Sequence, residues 1–113
     1  MVEEKYKLKI KKVDELVTIL EPRPGKSKVI MCHGTFDVVH PGHIRHLLYA
    51  KSKADILVAS LTCDAHIEKS NFRPYVPEDL RALNLAAFDM VDYVIIDMAP
   101  TPLSNLRDIK PDY

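Results

Sequence analysis

Residues 33–43 concentrate the side chains that could do chemistry: His33-Gly34-Thr35-Phe36-Asp37-Val38-Val39-His40-Pro41-Gly42-His43. An apolar run, Val29-Ile30-Met31-Cys32, leads into them, and a helical pattern follows at once. Strand, glycine turn and helix start is a local architecture that holds phosphate. Gly34 and Gly42 lack a Cβ, so the backbone there can approach a ligand closely. Pro41 suits the entry to a helix, with φ already set and no N–H to satisfy. The N–H groups from His43 onward are expected to point free at the helix start, where the dipole favours an anion. His40 and His43 stand three apart and can face one side of the first turn. Two imidazoles and bare N–H groups beside a glycine turn suit a pocket that stabilises negative charge on phosphate. Taken singly, each histidine would be an ordinary surface or core residue. The H-x-x-H spacing also fits a metal pair, but zinc sites draw a third ligand, and Cys32 and His33 fall inside the preceding strand; no metal site is assigned.

The elements around this turn must position it. The spacing predicts a first core strand over residues 28–33 and a helix from Gly42 to about Ser52, with Leu47 and Leu48 facing the sheet. Asp55–Leu61 is a continuous apolar run, the mark of a parallel strand buried on both faces. This strand–helix–strand unit brings Gly34 and Thr62-Cys63-Asp64 to neighbouring strand ends, where open α/β sheets bind ligands. The polar stretch from Asp64 to Val76, with His66, Lys69, Asn71, Arg73 and Tyr75, reads as a substrate loop or a solvated surface loop. Pro77-Glu78-Asp79 opens a second helix whose apolar side runs through Leu83, Ala86, Ala87 and Met90. A third strand is predicted over Asp92–Ile96 and a short helix from Thr101 to about Ile109. Before residue 28, the Lys5–Lys11 alternation has the period of an edge strand, and Asp14 could cap a helix reaching Leu20. The reading is an extension with a short helix over residues 1–27, then one α/β domain over 28–113.

Composition narrows the function classes. Sixteen basic and sixteen acidic side chains cancel, so no overall positive field favours nucleic acid or an anionic membrane. The longest apolar runs are far short of a membrane span. A cytoplasmic protein is expected, with Cys32 and Cys63 as buried free thiols.

Gly34-Thr35-Phe36-Asp37-x-x-His40-x-Gly42-His43 resembles the G-[TV]-F-D-x-x-H-x-G-H signature of the cytidylyltransferase-like nucleotidyltransferases, and the likeness runs from about Val13 to Tyr113. It is closest to the adenylyltransferase domains of bacterial bifunctional heptose kinase/adenylyltransferases. The resemblance implies an α/β fold, a Rossmann-like three-layer sandwich with a parallel sheet of the nucleotidyltransferase/HUP type. It implies nucleotidyl transfer from ATP or CTP to a phosphorylated sugar or alcohol with release of pyrophosphate, a sugar 1-phosphate adenylyltransferase being favoured, and magnesium accompanying the triphosphate. By the same resemblance His40 and His43 stabilise charge on the triphosphate, Gly34, Thr35, Phe36, Gly42 and His43 contact the nucleotide, and Lys69, with Arg73, holds the incoming phosphate. Arg81 matches the arginine of the family's E-R pair, with Leu80 in place of the glutamate. It reads either as an exposed helical arginine or as a ligand of the nucleotide phosphates. Asp37 reads as a turn former. The alternative is a non-catalytic nucleotide-binding or assembly module that keeps the H-x-G-H loop.

Relatives continue from an I-x-P-D segment, here Ile109-Lys110-Pro111-Asp112, into a fourth strand and a later triphosphate-binding segment, whereas this sequence stops at Tyr113. The expectation is a sheet incomplete at its C-terminal side, with the first strand as an open edge. Three arrangements would answer that: a fragment of a longer chain, which is preferred, pairing with a second copy, or cover from Lys5–Lys11.

Overall fold

The computed structural model describes residues 2–36, 39–66, 76–99 and 101–113. Three parallel strands, β1 (Val29–Gly34), β2 (Ile56–Thr62) and β3 (Tyr93–Asp97), form one sheet in the order β1-β2-β3. The helices are α1 (Val2–Lys7), α2 (Val13–Leu20), α3 (Pro41–Ser52), α4 (Glu78–Ala86) and α5 (Leu103–Ile109). Because side chains alternate along a strand, β2 feeds two cores. Leu57, Ala59 and Leu61 pack with Leu47 and Ala50 of α3 and Ala82, Leu85 and Ala86 of α4. Val58 packs on the other face with Leu16 and Leu20 of α2 and Ile109 of α5. The fold is therefore the expected three-layer α/β arrangement, with β2 buried on both faces.

Local expectations needed correction where tertiary packing outweighed pattern. Leu47 is buried but Leu48 is 52% exposed, because the two differ by about 100° around a helix and only one can meet the sheet. The buried side of α4 is Arg81, Ala82, Leu85 and Ala86; Ala87 is exposed and Leu83 only half-buried. α2 is capped at Lys12, whose N–H donates to Glu15 Oε1 (3.0 Å), so Asp14 lies inside the first turn. The Lys5–Lys11 stretch is not a strand. Residues up to Lys7 are helical, Tyr6 packs against the α3/α4 core, and Lys9 Nζ donates to the carbonyls of Phe88 (3.1 Å) and Val91 (2.9 Å). A lysine anchored on two carbonyls uses its charge better than one facing solvent in a ladder. Only Ile10 makes a strand-like bridge, to Val94 of β3 and not to β1.

The outer edge of β1 is met instead by residues 112–113. Asp112 N–H donates to the Val29 carbonyl (2.8 Å), and Met31 N–H donates to the Tyr113 carbonyl (3.2 Å). The Asp112 carboxylate fastens this contact, accepting from Val29 N–H (2.8 Å) and from Arg23 Nη2 (2.6 Å). The Val29 N–H, then the Arg23 guanidinium, hold the Asp112 carboxyl below the usual carboxylate range. A carboxyl lowered in the folded state contributes stability that is present above its unfolded value, about 3.9, and lost as pH falls through the folded value. Asp112→Asn should therefore lower Tm by a constant amount above about pH 5, and the gap to the parent should close below about pH 4; thermal melts across that range check it.

Candidate active site

The carboxyl ends of the strands carry the turn singled out by sequence. His40 is the N-cap of α3 in extended conformation (φ −121°, ψ 174°), and Pro41 takes the first helical position. The His40 ring accepts at Nδ1 from Gly42 N–H (3.0 Å), and His43 Nδ1 accepts from His40 N–H (3.2 Å). This is a capping box with imidazoles in both roles. A ring nitrogen that accepts carries no hydrogen, so in the neutral rings the proton sits on Nε2 of both histidines. The rings lie 4.0 Å apart between centroids, tilted by 37°, and His43 meets the Phe36 ring edge-on at 5.8 Å. The expectation of bare N–H groups at this helix start is corrected: His40 caps them with its own side chain. What the turn offers an anion is imidazole N–H, with no acidic residue in the first turn of α3 to oppose it.

Both glycines serve side-chain packing. A Cβ on Gly42 would stand 2.7 Å from His40 Cε1 and 3.1 Å from its Nδ1. A Cβ on Gly34 would press the Phe36 ring at 3.2 Å. Gly42→Ala should thus push the His40 ring off its cap, cost about 1 kcal/mol of stability and lower turnover; paired melts and rate assays check it. Phe36 is buried and holds a left-handed backbone, φ 52°, so its ring fills the core while the chain reverses. For a bulky residue that conformation is strained and kept only by its surroundings.

Arg81 is neither an exposed arginine nor a surface ligand for phosphate. Its side chain is fully buried, and four of its five N–H groups donate to the protein. Nη1 donates to the carbonyls of Thr35 and Thr62 (both 2.7 Å), Nε to Val76 (2.9 Å) and Nη2 to Asp64 Oδ1 (2.6 Å). One guanidinium thus ties the exit of β1, the end of β2 and the approach to α4 into one unit. Asp64 in turn accepts from Glu78 N–H (3.3 Å), while Glu78 Oε1 accepts from Asp64 N–H (2.9 Å). Thr35, expected to contact the nucleotide through its backbone, has its carbonyl engaged by Arg81. Lys69, Arg73 and Asp37 lie outside the described residues.

One group at the same sheet end escaped sequence reasoning. His33 Nδ1 lies 2.9 Å from Ser60 Oγ, and its Nε2 lies 3.4 Å from Thr62 Oγ1. Asp97 Oδ2 is 4.0 Å from His33 Nδ1. Burial lowers the His33 pKa, and the Asp97 charge pulls in the opposite direction. Burial likewise pushes the Cys32 thiol up, as an inert core cysteine requires. The strand period held the missing signal: His33, Ser60 and Asp97 all fall on the α2/α5 face near strand ends. Among the described residues no group of three His, Cys, Asp or Glu side chains could hold a metal ion, and no helix is long and apolar enough to cross a membrane.

Comparison with known proteins follows the same lines. A family model described as cytidylyltransferase-like matches residues 31–113. The bifunctional protein HldE of Campylobacter concisus is 39% identical over 109 residues, which cover 95% of this chain and 23% of that protein. HldE of Geobacter metallireducens is 41% identical over 106 residues, 91% of this chain and 22% of that protein. The chain therefore spans about a quarter of the length of these relatives. A solved structure, the lipopolysaccharide core biosynthesis protein of Thermoplasma volcanium, superposes with a TM-score of 0.70 at 27% identity, covering 76% of this chain and 70% of that one.

Proposed function

Since the chain belongs to the cytidylyltransferase-like family, we propose that its H-x-G-H turn works in nucleotidyl transfer from ATP or CTP to a phosphorylated sugar or alcohol. A phosphate oxygen of the acceptor forms a bond to the α-phosphorus, the bond from that phosphorus to the bridging oxygen breaks, and pyrophosphate leaves. The attacking oxygen is already anionic, so positioning and charge stabilisation carry the reaction and no protein nucleophile is needed. The observation that carries this reading is the His40–His43 capping box, which fixes both rings side by side with Nδ1 of each accepting from the backbone. Two imidazole N–H donors held by the backbone need no reorganisation when charge builds on the triphosphate. Lys69 and Arg73 are proposed to meet the acceptor phosphate. Magnesium would arrive with the triphosphate as part of the substrate, held by phosphate oxygens and water. Adenylyl transfer to a sugar 1-phosphate is the favoured pairing, supported by the identity to the bifunctional HldE proteins.

The test is pyrophosphate release by the chain with magnesium and ATP or CTP, against aldose 1-phosphates and glycerol 3-phosphate. Release with one pair supports the reading and names both substrates. Nucleotide binding by calorimetry with no release from any pair would favour a non-catalytic binding module instead.

A further inference from the structure

The backbone contact expected of Phe36 leaves its side chain unexplained. Three rings follow one another at the turn. His43 meets the His40 ring at 4.0 Å between centroids and the Phe36 ring at 5.8 Å, the latter with planes 61° apart. Phe36 and His40 make no ring contact with each other among the described residues, so His43 is the middle ring. The hydrogen bond to His43 Nδ1 is the longer of the two in the capping box, 3.2 Å against 3.0 Å, and lies at the long end of the ordinary range. That bond holds one atom of the imidazole, and the rings on either side set its plane. His40 is exposed, whereas Phe36 is buried in the core cluster that also holds Cys32 of β1 and Leu47 of α3. Phe36 is therefore the rigid neighbour.

Two features seat that ring. The left-handed backbone at Phe36, φ 52°, turns the side chain back into the core as the chain leaves β1. Gly34 lies directly against the ring: a Cβ there would stand 3.2 Å from Cε2, 3.4 Å from Cζ and 3.5 Å from Cδ2. Gly34 itself has no positive φ, so the position needs the missing side chain and not the conformational freedom of glycine. Strained backbone concentrates at functional sites, where the surroundings over-determine it. We infer that Phe36 is the positioning residue of His43: its ring fixes the plane of the imidazole, and the strained turn and the bare Gly34 seat it. An edge-to-face pair restricts ring orientation, and a donor oriented before charge develops needs no reorganisation. For its effect on rate the inference rests on the nucleotidyl-transfer reading, which it deepens by naming what orients one of the two imidazoles.

The test follows the imidazole nitrogens of the full chain by heteronuclear NMR without ligand, alongside turnover. Nitrogen shifts report tautomer and hydrogen bonding over a range far wider than the ring-current change from losing Phe36. Phe36→Leu keeps an apolar side chain in the core and removes the ring. The His43 nitrogen signals should then move toward a mixture of tautomers. With them kcat should fall about ten-fold, a fraction of the ~100-fold that a misplacement of about 1 Å can cost, with nucleotide KM within about two-fold. Gly34→Ala keeps the ring but makes it give by a few tenths of an ångström, so it should move the same signals in the same direction. The double variant should be no slower than Phe36→Leu alone, because the added methyl then has no ring to displace. Unmoved His43 signals in Phe36→Leu overturn the inference. A multiplicative loss in the double variant overturns it too, since Gly34 and Phe36 would then act separately. Should Phe36→Leu fail to fold, the same His43 signals in Gly34→Ala decide the matter alone. No pyrophosphate release from the parent chain strikes the underlying reading, and the ligand-free signals still decide whether Phe36 orients His43.

Discussion

His40→Ala should lower turnover at least ~100-fold, the loss expected when one preorganised donor to developing charge is removed. The same change should also lower stability by about 1 kcal/mol, because His40 is the N-cap of α3. The two effects separate with His40→Asn. Asparagine is among the best N-caps, so its amide oxygen can accept from Gly42 N–H as Nδ1 does. It carries no second nitrogen on the far side of a ring. The expected result is parental Tm with turnover as low as in the alanine variant. His43→Ala should lose a comparable factor in turnover, since it removes the other imidazole and the acceptor of His40 N–H. Pyrophosphate release rates and thermal melts on the same preparations decide each case. Turnover restored together with Tm in His40→Asn would mean that the ring acts only as a cap.

Arg81→Met should be the most destabilising single change in the site, by about 3 kcal/mol. The figure comes from three carbonyls, of Thr35, Thr62 and Val76, which lose their donors; each lost hydrogen bond is worth about 1 kcal/mol, and more where the carbonyl stays dry. The ion pair with Asp64 adds little, because that carboxylate is 39% exposed and can hydrate once the guanidinium is gone. In a domain of this size the loss corresponds to a fall in Tm of roughly 10 °C or more. Arg81→Lys keeps the charge but brings one point-like ammonium to a site built for a planar fork, so most of the loss should remain. Nucleotide affinity should fall in both variants although Arg81 is placed to touch no ligand, because the exit of β1 and the end of β2 lose their common tie. Melting curves and calorimetric titration with ATP and CTP check this; an unchanged Tm in Arg81→Met would show that the four bonds are not worth making.

The framework was legible wherever burial imposed a period on the sequence. Asp55–Leu61 could only be a strand covered on both faces, and Pro41 announced the first turn of α3. The turn itself was legible from residue types, but its mechanics were not. Sequence placed two imidazoles at a helix start; it did not show that each accepts from backbone, or that Gly42 is small to make room for the His40 ring. Arg81 misled because a charged residue on an amphipathic helix looks solvated. Three of its four acceptors, Asp64 and the Thr62 and Thr35 carbonyls, lie 17, 19 and 46 positions away, and only the closed fold brings them together. His33, Ser60 and Asp97 were hidden for the opposite reason, each sitting in an apolar strand and acquiring a polar neighbour only across the ladder. The Lys5–Lys11 alternation failed because a seven-residue period carries less information than one lysine with two carbonyls to bind.

The clasp between Arg23 and Asp112 spans 89 residues, and this distance bears on the birth of the protein at the ribosome. At an elongation rate of about 5–20 residues per second, the two partners emerge roughly 4–18 s apart. Throughout that interval β1 exists without the contacts that close its outer edge, and helices of 8 and 12 residues such as α2 and α3 are marginal in isolation. Parallel strands pair only through long-range closure, and β1 gains these outer-edge contacts only after synthesis has passed Asp112. The apolar strand that leads into the histidine turn thus spends that interval with an open outer edge, which another extended chain could pair with.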